Sequence, residues 1–287
     1  MQLTETITWT TLAILQWTRE YLHSKGVSNA RLEAEWLLCR ATGLDRVGLY
    51  LNYDKPLNDH ELALYREMVS RRGRREPLQH ILGNQEFYGY DFIVTADVLV
   101  PRYDSEVLVA EAIDKHPDAQ TILDVGTGSG CIAITLQRLL PNSTVTATDI
   151  SIAALTIARR NGENLGIPIE FLHGNLYEPV AGRSFDLIVS NPPYIPTADI
   201  ATLEPEVKSY DPRIALDGGV DGLAVYRSLI QGAPQFLNPG GWLLCEIGVG
   251  QSCDVSSLLF TTGCFHEPII VNDASSIPRV VAAHRKD

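Results

Sequence analysis

The fold of this chain is decided by the stretch Thr121-Ile122-Leu123-Asp124-Val125-Gly126-Thr127-Gly128-Ser129-Gly130. Its first five residues are rich in apolar and β-branched side chains, which is typical of a short buried strand. The next five alternate glycine with a hydroxyl residue, and a helical pattern then runs from Cys131 to Leu140. Glycine lets a backbone turn tightly and approach a ligand closely, and the N-terminus of the helix is electropositive. The stretch therefore predicts a strand, a ligand-binding turn and a helix.

A second strand is predicted from Ser143 to Thr148, and it ends at Asp149. This acidic residue follows about 20 residues beyond the glycines, where a carboxylate can hold ribose hydroxyls. The glycines form the pattern Gly-x-Gly-x-Gly, whereas dinucleotide enzymes have Gly-x-Gly-x-x-Gly. By itself the pattern also fits a tight turn in any α/β domain, so the ligand has to be inferred from other residues as well.

The turn Asn191-Pro192-Pro193-Tyr194 follows the apolar run 185–190. The Asn191 side-chain oxygen and the Pro192 carbonyl can accept both hydrogens of one planar NH2 group. Two prolines keep the turn stiff, and the Tyr194 ring offers a flat surface for stacking. This arrangement suits a poor nitrogen nucleophile, either an amide or an exocyclic base amine. An ordinary Asn-Pro turn and core packing of the tyrosine are the alternatives. Together with the glycines and Asp149, the turn predicts an S-adenosylmethionine-dependent N-methyltransferase.

The chain is predicted to divide into a helical domain at 1–75, a β-hairpin linker at 76–100 and an α/β domain at 101–287. The helical domain has apolar residues at helical spacing, with Asn58 as a candidate N-cap. The hairpin is expected to pair Pro77–Gly83 with Glu86–Val94. After the second strand, five more are predicted: Pro168–Leu172, Phe185–Ser190, Gly241–Ile247, His266–Val271 and Arg279–Ala283. Their alternation with helices favours a mainly parallel, doubly wound sheet.

Composition limits the class of protein. The 287 residues are 45% hydrophobic, and no apolar run approaches the roughly 18 residues that span a bilayer. No secretory leader is apparent before Arg19. Five cysteines without a Cys-x-x-Cys pair argue against a disulfide framework and a zinc site. We therefore expect a cytoplasmic protein with no metal and no membrane association.

The formal net charge of −12 disfavours a protein that holds nucleic acid through its general field. One basic run, Arg71-Arg72-Gly73-Arg74-Arg75, stands against this background. It is either a solvated segment between domains or a contact for an acidic or RNA-associated partner. We expect no direct nucleic-acid binding and a monomeric protein.

At these motifs the chain resembles the HemK/PrmC release-factor glutamine methyltransferases, a family of class I S-adenosylmethionine-dependent methyltransferases. Beyond the Asn-Pro-Pro-Tyr turn, three stretches carry the resemblance: Glu86-Phe87-Tyr88-Gly89, Val100-Pro101-Arg102-Tyr103-Asp104-Ser105-Glu106, and the segment from Glu204 through Leu223. The second stretch is similar to the family pattern Pro-Arg-Pro-x-Thr-Glu, with Tyr103 for proline and Ser105 for threonine. The resemblance implies a Rossmann-like α/β sheet with a small N-terminal helical domain, joined by a β-hairpin connector.

The resemblance also implies the reaction. A methyl group passes from S-adenosyl-L-methionine to the side-chain nitrogen (N5) of the glutamine in the Gly-Gly-Gln motif of peptide chain release factors, leaving S-adenosyl-L-homocysteine. The residues expected at the cofactor are Asp124, Gly126, Thr127, Gly128, Ser129, Gly130, Asp149, Asn175, Leu176 and Asn191. In the family, an aromatic residue often stands where this chain has Leu176, so a plain apolar contact replaces ring stacking on the adenine.

The expected catalytic residues are Asn191, Pro192 and Tyr194. The substrate amide is expected to contact Phe87, Asn191, Pro192, Pro193 and Tyr194, with the Phe87 and Tyr194 rings on its two faces. Two other reactions use the same turn: methylation of adenine N6 in flipped-out DNA, and methylation of a glutamine in a ribosomal protein. A cofactor-binding regulatory module without catalysis is a further alternative, although such a module has no need of paired acceptors.

Overall fold

The structure of this chain is a computed structural model that describes residues 9–287. Two compact units make up this part of the chain. One unit contains the described residues up to Gly83 together with Pro205–Tyr210, and the other contains Asn84–Glu204 and Asp211–Asp287. The first eight residues of the predicted N-terminal domain lie outside the described residues.

The first unit is helical, as predicted for this part of the sequence. Its helices are α1 (Thr11–Ser24), α2 (Ala30–Thr42), α3 (Arg46–Leu51), α4 (Asp59–Gly73) and α5 (Leu78–Leu82), with a later helix at Pro205–Tyr210. Helix α4 begins at the predicted N-cap. Asn58 Oδ1 accepts from the Glu61 amide at 2.9 Å, and the Glu61 carboxylate accepts from the Asn58 amide at 2.9 Å. This reciprocal capping satisfies two backbone donors at the helix start.

The basic run lies at the end of α4, where its arginines form ion pairs within the first unit. Arg72 is buried and pairs with Glu33 and, at 2.9 Å, with Glu206. Both nitrogens of the Arg75 fork meet the carboxylate of Glu206, at 2.6 and 2.7 Å. Arg71 likewise pairs with Glu76 at 2.6 Å. Three of its arginines are therefore held by carboxylates of the same unit, which corrects the interpretation of a simply solvated segment, whereas contact with a partner stays a prediction.

The predicted connector is partly wrong. Pro77–Gly83, expected as the first hairpin strand, forms helix α5, which starts after Pro77 and ends at Gly83 with φ +82. Proline before a helix and a left-handed glycine after it are helix-boundary signals that outweigh the apolar residues between them. The hairpin itself pairs β1 (Asn84–Phe87) with β2 (Tyr90–Ile93). Tyr88 and Gly89, with φ +52 and +77, make the two-residue turn.

The second unit is built on a seven-stranded sheet, and its five parallel strands alternate with helices. In chain order the elements are α6 (Glu106–Lys115), β3 (Thr121–Val125), α7 (Cys131–Leu139), β4 (Thr144–Asp149), α8 (Ile152–Leu165), β5 (Glu170–His173), β6 (Phe185–Ser190), α9 (Pro205–Tyr210, which packs in the first unit), α10 (Ala224–Phe236), β7 (Leu237–Glu246), α11 (Ser252–Thr261), β8 (Ile269–Asn272) and β9 (Pro278–His284). The sheet order is β5-β4-β3-β6-β7-β9-β8. Strand β9 is antiparallel to both of its neighbours. This arrangement confirms the predicted Rossmann-like, doubly wound sheet.

The core lies on both faces of this sheet because its central strands are apolar on both sides. Along β3, Ile122 packs into one cluster with Val145 and Leu187, and Leu123 packs into the other with Ile188. Successive side chains of a strand point to opposite faces, so a parallel strand between two helical layers is buried at every position. Within residues 9–287, no helix has the length and apolar character required to cross a membrane.

Gly130 offers a test of how tightly the glycine turn is packed onto α8. A Cβ at Gly130 would lie 3.1 Å from Ala158 Cβ and 3.1 Å from Ile134 Cδ1, whereas a Cβ at Gly166 would meet nothing within 4 Å. Both glycines have left-handed φ angles, +82 and +66. We expect Gly130→Ala to lower the free energy of unfolding by about 1–3 kcal/mol more than the matched control Gly166→Ala. Urea denaturation of the two variants measures the difference, and equal losses would contradict this packing.

Candidate active site

A cavity of about 620 Å³ opens at the carboxyl edge of the central strands. From β3 the chain first adds β4 and β5 on one side of the sheet and then β6 and β7 on the other. The cavity lies at this reversal, which is the usual position of a ligand in a doubly wound sheet. Ten of the predicted site residues line it: Gly126, Thr127, Gly128, Ser129, Asp149, Asn175, Leu176, Asn191, Pro192 and Pro193. The fold thus brings the glycine turn, the acidic strand end and the Asn-Pro-Pro turn to one place.

The glycine turn has a backbone that requires glycine. Gly126 and Gly128 have φ +76 and +56, and nothing lies within 4 Å of the Cβ that each lacks. The turn is fixed from behind, since the amides of Gly126 and Thr127 both donate to the Thr148 carbonyl, at 2.8 and 3.0 Å. Gly130 has a different role from the predicted cofactor contact, because it packs against Ala158 and is not among the residues that line the cavity.

Asp149 faces the cavity with both carboxylate oxygens held. One accepts from the Gly128 amide at 2.8 Å and the other from the Ser151 amide at 2.8 Å. Burial raises the pKa of Asp149, while the backbone amides of Ser151 and Gly128 act in the opposite direction. Each carboxylate oxygen keeps a second lone pair. The side chain is therefore a rigid double acceptor, suited to two neighbouring hydroxyl groups.

Asp124 was predicted as a cofactor contact, but the structure places it underneath the turn. It is fully buried, and its Oδ2 accepts from the Thr127 hydroxyl at 2.6 Å. It does not line the cavity. Burial raises the pKa of this carboxyl to about 7. Asp124 therefore holds the glycine turn through Thr127 from beneath the residues that line the cavity.

Asn175 and Leu176 line the far end of the cavity, in the loop after β5. Leu176 has a positive φ of +47, which is costly for a residue with a branched side chain. Its carbonyl accepts from the Thr148 hydroxyl at 3.0 Å, and this bond holds the backbone in place. Strain of this kind is common at ligand sites, where the surrounding structure maintains it.

The Asn191 amide has a defined orientation. Its Nδ2 donates to the Ser105 hydroxyl oxygen at 3.0 Å, so its Oδ1 remains as the acceptor at the cavity. The adjoining residues Pro192 and Pro193 line the same wall. The carbonyl of Tyr194 accepts from Gln251 Nε2 at 3.0 Å, which fixes the exit of the turn.

The two aromatic residues predicted to flank the substrate amide lie elsewhere. Phe87 is fully buried in the core, where its ring meets Phe92 edge-on at 6.1 Å between centroids. This corrects the prediction of a substrate contact, since alternation along β1 directs Phe87 inward. The Tyr194 ring is half-buried against the core cluster beneath α10, and burial raises its pKa to about 12. Neither ring is among those lining the cavity.

Several lining residues were not predicted from the sequence. They are Asp97, Val98, Leu99, Pro101, Arg102, Ser105, Val125, Cys131, Ile132, Thr148, Ile150, Ser151, Ala154, Gly174, Ser190, Pro212, Arg213, Ile214, Ala215, Asp217 and Val225. Two groups of them lie in stretches that carried the family resemblance. Arg102 joins the two, because its Nη2 pairs with the buried Asp211 at 2.9 Å. The signal was present in the sequence, although no pattern in it assigned these residues to the site.

The raised pKa of Asp124 predicts how pH acts on stability. In the unfolded chain this carboxyl ionises near pH 4 and in the folded chain at about 7, so the folded state binds the extra proton between these values. Its contribution to the free energy of unfolding is therefore lost as pH rises from about 4 to 7. We expect Asp124→Asn to gain stability relative to the wild type between pH 5 and 8, by up to about 4 kcal/mol. Urea unfolding at both pH values tests this, and a pH-independent difference would contradict it.

Family models and relatives agree with this architecture. The model of the PrmC N-terminal domain matches residues 13–83, and the model of the methyltransferase small domain matches residues 103–203. A methyltransferase from Pyrococcus furiosus has the same fold, with a TM-score of 0.53 and 19% identity over 76% of this chain and 99% of that chain.

Two curated relatives match almost the whole chain. A release factor glutamine methyltransferase of Geobacter sulfurreducens is 54% identical, over 95% of this chain and 96% of the relative. A release factor glutamine methyltransferase of Moorella thermoacetica is 41% identical, over 93% of this chain and 95% of the relative. At such identity over nearly full length, fold and family are shared, and the predicted resemblance is confirmed. The chain belongs to the family of release factor glutamine methyltransferases.

Proposed function

We propose that this enzyme methylates the side-chain nitrogen (N5) of the glutamine in the Gly-Gly-Gln motif of peptide chain release factors, with S-adenosyl-L-methionine as donor and S-adenosyl-L-homocysteine as product. One observation carries the proposal. Asn191, whose amide oxygen is left as an acceptor, lines the same cavity as the glycine turn and Asp149. The relative with 54% identity, whose name states this reaction, supports the choice of substrate.

The residues of the cavity fit the proposed cofactor. Gly126 and Gly128 leave the space of two side chains open, which admits a ligand close to the backbone. Asp149 would hold the ribose hydroxyls, while Asn175 and Leu176 would lie at the adenine. When bound, S-adenosylmethionine supplies a methyl group on a positively charged sulfur. Because Leu176 stands where the family often has an aromatic residue, the adenine would make an apolar contact and not stack on a ring.

Asn191 and Pro192 would act on the substrate amide. The lone pair of an amide nitrogen is shared with its carbonyl, so the nitrogen is a poor nucleophile. In our proposal, Asn191 Oδ1 and the Pro192 carbonyl accept its two hydrogens and stabilise the positive charge that grows as the nitrogen becomes tetrahedral. Loss of one preorganised partner of this kind costs about 10²–10³ in rate. No general base is needed, since the extra proton becomes acidic and leaves to water.

The remaining parts of the proposal concern the cellular compartment, the class of substrate and the oligomeric state. A release factor substrate implies action in translation termination, and therefore in the cytoplasm. The net charge of −12 supports a protein substrate over nucleic acid. We propose that the enzyme acts as a monomer, which sedimentation of the purified protein measures.

Methylation of a release factor is the direct test. Wild-type enzyme, cofactor and release factor should give one added methyl on the Gly-Gly-Gln glutamine by mass spectrometry. Asn191→Ala should lower this transfer by at least ~10² and leave cofactor affinity within a few-fold, because the residue acts on the substrate nitrogen. Wild-type turnover in this variant would remove Asn191 from the reaction.

The same experiment separates the alternatives. Duplex DNA and ribosomal proteins, each incubated with enzyme and labelled cofactor, should take up no methyl group. Labelling of adenine N6 instead of the release factor would replace the proposal with base methylation. Labelling of a ribosomal-protein glutamine would keep the chemistry and change the substrate.

Cofactor binding gives a separate test at Asp149. Removing the double acceptor should weaken binding at least about tenfold, since a hydrogen bond to a charged group contributes about 1.5–3 kcal/mol. Isothermal titration calorimetry of Asp149→Ala measures this. The control is Asp254→Ala, which removes an exposed carboxylate on α11. Equal affinity of the two variants would overturn the assignment of Asp149.

A further inference from the structure

Glu246 is a buried carboxyl group that neither the cofactor residues nor the substrate acceptors explain. It ends strand β7 and is only 3% exposed. Ser190 and Cys245 are partners in the parallel register of β6 and β7, so the residues that follow them, Asn191 and Glu246, lie side by side. A buried carboxyl group costs free energy unless it has a specific partner. Its place beside Asn191 indicates what that partner is.

Ser105 connects the two side chains. It is 3% exposed, and its hydroxyl oxygen accepts from Asn191 Nδ2 at 3.0 Å. Burial raises the pKa of Glu246 to about 7, while side-chain hydrogen bonds from Ser105 and Asn191 act in the opposite direction. Ser105 and Asn191 thus share a hydrogen bond at the cavity, and both side chains act on the buried carboxyl group of Glu246 behind them.

The charged groups around these three residues are few and already paired. Arg279 of β9 meets Asp104 at 2.8 Å and Asp273 at 2.8 Å. Tyr226 of α10 donates to the backbone carbonyl of Glu246 at 2.6 Å and leaves the carboxyl group to other partners. The side chain of Glu246 is therefore directed to Ser105 and Asn191.

The direction of these hydrogen bonds follows from what each group can do. Above pH 7 the Glu246 carboxyl group is mainly ionised and only accepts, so the single Ser105 proton is then donated to Glu246. The Ser105 oxygen can then only accept, and it takes a hydrogen from the Asn191 amide. The two ends of an asparagine amide have nearly the same shape, so packing alone does not prevent it from turning over. A turned amide would present NH2 to the NH2 of the substrate and lose the acceptor.

We infer that Glu246 and Ser105 are positioning residues that hold the Asn191 oxygen toward the substrate amide. This inference rests on the proposed function, because a carboxamide substrate is what makes the orientation matter. Glu246 acts on Asn191 both directly and through Ser105, and Ser105 acts through Asn191. Neither residue needs to touch the reacting atoms.

Kinetics of single and double variants test the inference. Ser105→Ala should lower kcat about tenfold, the equivalent of one lost hydrogen bond. KM for the release factor and cofactor affinity should stay within twofold, and Ser105→Thr should recover most of the loss. In the Asn191→Ala background, Ser105→Ala should cause no further loss, since nothing is left to orient. Losses that multiply in the double variant would overturn the inference.

A substitution at Glu246 tests whether its carboxylate must act only as a hydrogen-bond acceptor. Glutamine keeps the shape of the side chain but can donate as well as accept. Glu246→Gln should therefore lower kcat severalfold without changing cofactor affinity. Ser143→Ala is the matched control, because it removes another buried hydroxyl, one that donates to the Ala119 carbonyl at the opposite edge of the sheet. That control should lose stability and keep its kcat, whereas full kcat in Glu246→Gln would contradict the role of the carboxylate.

A measurement without cofactor or substrate completes the test. The side-chain amide protons of Asn191, identified in nitrogen-15 NMR spectra by their absence in Asn191→Ala, should exchange slowly with water in the wild type. Exchange should be at least about tenfold faster in Ser105→Ala, since the hydrogen bond at Nδ2 is gone. Unchanged exchange would overturn the inference even if release factor is methylated. Faster exchange in an enzyme that leaves release factor unmethylated would instead overturn the proposed function.

Discussion

The hydrogen-bond register of the parallel strands is the constraint on which the site depends. Val125 pairs with Thr148 across β3 and β4, and Ser190 pairs with Cys245 across β6 and β7. Because these strands end at the same edge, the residues that follow them meet there: Gly126, Asp149, Asn191 and Glu246. A slip of one residue would turn each affected side chain to the opposite face of the sheet. The apolar layers on both faces prevent such a slip, so core packing fixes the chemistry of the edge.

Two buried carboxyl groups carry out the positioning at this edge. Asp124 holds the glycine turn through Thr127, and Glu246 lies behind Asn191. Burial raises the pKa of each to about 7, because keeping the ionised form away from water costs free energy. An apolar residue would avoid that cost, but it would leave the turn and the amide without a directional partner. We therefore regard both carboxyl groups as part of the site, although only side chains in front of them line the cavity.

The helical unit illustrates a different use of charge. Arg72 and Arg75 converge on the carboxylate of Glu206, and Arg72 also pairs with Glu33. Since Arg72 is buried, it needs these carboxylates, and loss of both would leave its charge without compensation. Three of the four arginines of the basic run thus stabilise the packing of their own unit by ion pairs.

The sequence by itself determined the features that depend on neighbouring residues. Short apolar runs between helical patterns predicted the strands of the sheet, and Asn58 predicted the start of α4. The glycine and proline motifs predicted two walls of the cavity. These patterns are local, because a φ angle, a missing N–H or a helical period belongs to adjacent residues. The tertiary structure alone decided which side chains meet across long separations. Asn191 and Ser105 are 86 positions apart, and Arg75 and Glu206 are 131 apart. It also decided that Phe87 and Asp124 are buried, since burial depends on what packs against a segment and the sequence of that segment does not contain its neighbours.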